Sequence, residues 1–218
     1  MRKLLLLIVL LLSFNSSNAT HIMGGEITWE CIKDPADPNY GLYIFKMKVY
    51  RDCDGTTLST FAQTLDVWNH PTVTQISLDF VINTDISPDC DVQNSGNLAL
   101  DCATNPVGAV EEYIYVSQPV SIPGIPPANG WHFTWDSCCR NGAISNLALT
   151  NPTSPSEGFT LRASMFSYID TNGIALPADP CFDNSPKFNE SPQTIICTGY
   201  PFSYTHNASD LELDSIVY

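Results

Sequence analysis

The chain has 218 residues, a formal net charge of −14, 16 prolines and eight cysteines. Such acidity repels nucleic acid and anionic lipid, so neither is expected as a partner. The length suffices to bury a real core, with disulfides as a supplement to packing.

The first element is a secretory signal peptide over residues 1–19. Arg2 and Lys3 supply the positive start, Leu4 to Leu12 an apolar run, and Ser17-Asn18-Ala19 a small-residue cleavage site. The run is too short to cross a bilayer, which takes about 20 residues. The expected product is secreted, extracellular or at the cell surface, with no membrane insertion after cleavage.

Next, Ile22 to Cys31 reads as a strand with Ile27 and Trp29 on one face. KDPADPNYG follows with turn chemistry. In Leu42 to Tyr50, Tyr43, Phe45, Met47 and Val49 alternate with Leu42, Ile44, Lys46 and Lys48. The first set is wholly apolar and predicts the core face; the lysine face is expected to see water. Further strands are predicted at Gln63–Trp68, Thr74–Ile82, Val110–Ser117, Gly130–Trp135, Phe159–Phe166 and Thr194–Cys197. No window carries a long helical stripe. The spacing predicts an all-β fold, an immunoglobulin-like β-sandwich with disulfides over residues 20–180. Ala175 to Pro186 has linker composition, and the closing DSIVY reads as a strand beginning. Residues 181–218 are therefore expected to be a linker and the first strands of an incomplete second β domain.

Eight cysteines in an exported chain imply disulfides rather than a zinc site, since paired CxxC ligands are missing. Cys90 with Cys102, and Cys181 with Cys197, bracket loops that local bridges would close. Cys31 and Cys53 lie near the ends of the first two strands, and Cys138 and Cys139 are expected to reach them, in either combination.

HIMGGEITWEC, KVYRDCDG (Lys48 to Gly55) and SCCRNGAISN (Ser137 to Asn146) resemble the opening module of large Bacteroidetes surface proteins. Those proteins carry PKD or cadherin-like repeats and a type IX secretion signal. The resemblance covers nearly all of the chain after residue 19. It implies a non-catalytic structural or adhesive module of a cell-surface, gliding-associated adhesin, whose partners are other domains of the same long chain.

A second resemblance lies near the C-terminal end. Asp183 to Phe188, DNSPKF, is similar to the DNxPxF linker of cadherin repeats, and Ala208 to Glu212 to their AxDxD segment, with Glu212 in place of Asp. It implies calcium as cofactor, bound by Asp183, Asn184, Asp210, Glu212 and Asp214. Calcium takes six to eight oxygens, and Asp210, Glu212 and Asp214 would share one side of an extended segment. Such an ion would stiffen the interdomain joint.

No GxSxG elbow, HExxH or phosphate loop marks an enzyme. Glu111-Glu112 reads as a strand start. An N-terminal His21 with His70, His132 or His206 would form a copper brace, but cleavage after Ala19 leaves Thr20 first and blocks it. The alternative to a structural module is a lectin-like domain binding surface glycans or cell-surface proteins through Trp131 and Trp135. Those rings read more readily as core beside a cysteine bridge, and Arg140 as a structural ion pair.

Overall fold

The computed structural model describes residues 22–88, 99–137, 158–167, 181–190, 201, 203–205, 207–212 and 216. The signal peptide, the predicted strand at Thr194–Cys197, Arg140 and the residues Cys90, Cys138, Cys139, Cys197 and Asp214 lie outside them.

Nine strands form, and no helix occurs among the described residues: β1 (Ile22–Cys31), β2 (Tyr43–Asp52), β3 (Gln63–Trp68), β4 (Gln75–Asp85), β5 (Val110–Ser117), β6 (Trp131–Ser137), β7 (Phe159–Met165), β8 (Lys187–Phe188) and β9 (Ala208–Ser209). The first seven make one antiparallel sheet in the order β1-β2-β5-β4-β3-β6-β7. That is the A-B-E-D and C-F-G order of an immunoglobulin sandwich. Here β3 and β4 also pair, so the two layers are continuous. β4 turns the corner itself: Gln75–Leu78 pair with β3, then Leu78–Asp85 with β5. A register shift between Phe80 and Ile82 marks the bend.

Period-two alternation builds the core. Phe45, Met47 and Val49 are fully buried, as are Leu65, Leu78, Trp131 and Phe133. Across the core, the Phe133 ring lies 4.6 Å from Phe45 and 5.6 Å from Trp29, so β6 packs against β1 and β2. Trp131 and Trp135 are 1% and 7% exposed: both are core residues.

Two of the sequence motifs have structural explanations. At Gly25 an added Cβ would sit 2.5 Å from the Lys48 carbonyl and 2.7 Å from Leu161 Cδ1, so this glycine lets β1 approach β2 and β7 together. In KVYRDCDG, buried Arg51 pairs with Glu111 at 2.8 Å. Its Nη1 donates to the carbonyls of Asp52 and Gly55, both at 2.9 Å, and so shapes the turn that follows.

The disulfides correct the sequence expectation. Cys31 bonds Cys181 and Cys53 bonds Cys102; Cys102 is not closed locally by Cys90, nor Cys181 by Cys197. Cys31 and Cys53 are thus taken by partners other than Cys138 and Cys139. Curling of the sheet sets these distances: Cys31 and Cys181 are 150 residues apart in sequence and 5.4 Å apart at Cα.

Candidate functional site

Two of the expected ligand residues, Asn184 and Glu212, come together where the segment after Cys181 meets the free edge of β1. An edge strand leaves N–H and C=O groups unpaired, and here side chains from Asn184 and Ser185 fill them. Asn184 Oδ1 accepts from Cys31 N at 2.7 Å, and Ser185 Oγ accepts from Trp29 N at 2.8 Å. Ser185 N donates to the Trp29 carbonyl at 3.1 Å. Both residues are buried. The tail therefore pairs with β1 partly through side chains standing in for a backbone ladder.

Ion pairs extend the contact. Lys187 Nζ meets Glu30 at 2.7 Å, and Lys33 pairs with Glu212. Glu212 also receives the Asn184 Nδ2 at 2.7 Å and its backbone N at 3.3 Å. Partial burial opposes the charge on Glu212, but the Lys33 ammonium and the Asn184 donors outweigh it. They hold the carboxyl below its ordinary pKa.

Asp210 does not continue an extended run. Its Oδ1 accepts from Glu212 N at 3.0 Å, an Asx-type turn that breaks the period-two alignment. Asn184 Oδ1 is taken by Cys31 N, and Glu212 by Lys33 and Asn184. Among the described residues no three His, Cys, Asp or Glu side chains are grouped to hold a metal ion. Asp183 lies within the same tail segment, and Asp214 outside the described residues.

Beside this seam runs a cleft of about 880 Å³ over the outer face of β1 and β2. Thr28, Ile44, Lys46 and Lys48 lie on its floor, with Phe188 and Leu211 from the tail on its walls. Lys33, Lys46, Lys48 and Lys187 all line it, four of the nine Lys and Arg residues in the chain. The lysine face expected to see water is thus half covered. Lys48 pairs with Glu26 at 3.1 Å and Glu112 at 3.6 Å. Burial disfavours its charge, yet the two carboxylates prevail and raise its pKa.

Asn184 and Glu212 were expected from the sequence only as calcium ligands, and Lys33, Ser185 and the partner of Cys181 were not expected at this place. Lys33 sits in a loop of turn residues, and no local pattern links it to a carboxylate so distant in sequence. No family model matches the chain, and no curated protein or solved structure gives a significant match.

Proposed function

We propose that the chain is a non-catalytic structural and adhesive module of an exported cell-surface adhesin. The observation that carries this reading is the seating of the tail on β1. One disulfide, two buried side chains and two ion pairs fasten Cys181, Asn184, Ser185, Lys187 and Glu212 to β1 and the loop after it. A joint so fastened hands its orientation on to whatever follows it, which is the task of a module in a long surface protein. The resemblance of HIMGGEITWEC, KVYRDCDG and SCCRNGAISN to the opening module of Bacteroidetes surface proteins supports the same reading.

Display on a non-adherent bacterium tests it. Cells carrying the chain should be retained on glass or on neighbouring cells under flow. Cells carrying the Cys31→Ser, Cys181→Ser double variant, at equal surface density, should be retained less. Equal retention by the two, or none by either, would defeat the proposal.

A further inference from the structure

We propose that the outer face of the β3–β6–β7 layer is a binding platform for a neutral, polyhydroxylated glycan, centred on Trp68. Leu65 and Val67 turn into the core, so Trp68 turns outward, and it is 56% exposed. A single exposed apolar side chain needs no explanation; this one is held in place. Its Nε1 donates to Thr134 Oγ1 at 2.8 Å on the neighbouring strand, drawing the ring across the sheet. The following residue, Asn69, adopts φ 66° and donates through Nδ2 to the Gly130 carbonyl at 3.0 Å. The strand end carrying the ring is therefore fixed, and much of the ordering cost of binding is met before a ligand arrives.

A second ring lies on the same face. Phe166 follows β7 and is 55% exposed. A Cβ on Gly130 would come within 3.0 Å of Phe166 Cε1, so the bare backbone there is the seat of the phenyl ring. Polar groups run close by. Trp68 is in register with His132, and His132 with Ser164. Arg162 Nη2 donates to His132 Nε2 at 2.8 Å, and His132 Nδ1 then donates to Ser164 Oγ at 2.8 Å. Among the described residues Arg162 has no carboxylate within ion-pair distance, and most of its five N–H donors remain open. Asp66 and Asp136 stand further along the face, accepting from Gln75 Nε2 and Thr160 Oγ1.

The chemistry fits a sugar. An indole face is electron-rich and suits the axial C–H bonds of a pyranose. Guanidinium donors and carboxylate acceptors suit its hydroxyls. Charge selects the kind of sugar: among the described residues of the face, one guanidinium stands against two carboxylates with no positive excess, and the chain as a whole carries −14. A polyuronate would be repelled, whereas a neutral glycan would not. None of these residues belongs to the tail seat on β1.

Calorimetric titration of the full oxidised chain tests it, with neutral gluco-, manno- and galacto-oligosaccharides and with oligogalacturonate as the acidic counterpart. Saturable binding to at least one neutral series is expected, weakened about tenfold or more by Trp68→Ala. Arg162→Gln and Phe166→Ala should each weaken it less. Thr134→Val, which frees the ring while leaving it present, should also weaken binding. Because Trp68 and Arg162 are exposed, their variants should melt with the parent chain. Binding to none of the neutral series overturns the proposal, as does binding that survives Trp68→Ala or is as tight for oligogalacturonate.

Discussion

His70 bonds three backbone groups at once. Nε2 donates to the Pro123 carbonyl at 3.0 Å, while Nδ1 accepts from Thr72 N at 3.2 Å and Val73 N at 2.9 Å. Its ring also packs 4.5 Å from Trp131. Burial lowers its pKa below 6.5, against a smaller opposing effect of the Pro123 bond. A proton on Nδ1 would meet two N–H donors head on. The unfolded chain therefore binds that proton first as pH falls, and the stability present above pH 6.5 is lost below it. The melting temperature should drop between about pH 7 and about pH 5. His70→Gln should start lower and drop less; parallel curves would remove His70 as the cause, and leave His132 to be tested. Trp68 shows what sequence could give at this scale. Its strand was legible from Gln63 to Trp68, and its parity against Leu65 and Val67 points it outward. Its bond to Thr134 was not legible, because that depends on which strand lies beside β3.

Among the elements, the long strands were legible and the tail was not. β1, β3 and β5 have the bounds that alternation and turn residues predict, and β2, β4, β6 and β7 differ at one or both ends. Packing explains the success: a strand with one face in the core must repeat every second residue. The tail carries no such repeat, since Asn184 and Ser185 bind through side-chain oxygens and β8 and β9 are two residues each. Asn184→Ala and Ser185→Ala each strand a buried β1 donor, at a cost of about 1–3 kcal/mol. Denaturant titration should show that loss, together with faster amide exchange at Cys31 and Trp29 respectively. Unchanged exchange at both sites would mean that the tail does not protect the edge.

In the whole molecule, the strand order makes a sandwich out of one unbroken sheet, whose end strands β1 and β7 meet at Gly25 and Leu161. The all-β class and the core were legible; the cysteine pairing was not, because closure of the sheet decides it. The Cys31–Cys181 bond spans 150 residues and encloses the whole span of Cys53–Cys102, which closes 49. Cross-linking the longer loop restricts the unfolded chain more, within a usual range of about 2–4 kcal/mol per bridge. Replacing Cys31 and Cys181 by serine should therefore lower unfolding free energy by more than replacing Cys53 and Cys102. The reverse order would place the stabilisation in native contacts instead of chain entropy.

The same bond has a mechanical meaning. Tension applied between the N-terminal end of β1 and the tail beyond Cys181 would travel along ten residues of β1, across the disulfide, and out. Residues 32–180 hang from that line as a covalently closed loop. While the bond is oxidised, pulling can peel β1 from its neighbours, but it cannot draw the core out into extended chain. The disulfide acts as a shunt that caps the extensibility of the module, and a reducing environment would remove the cap.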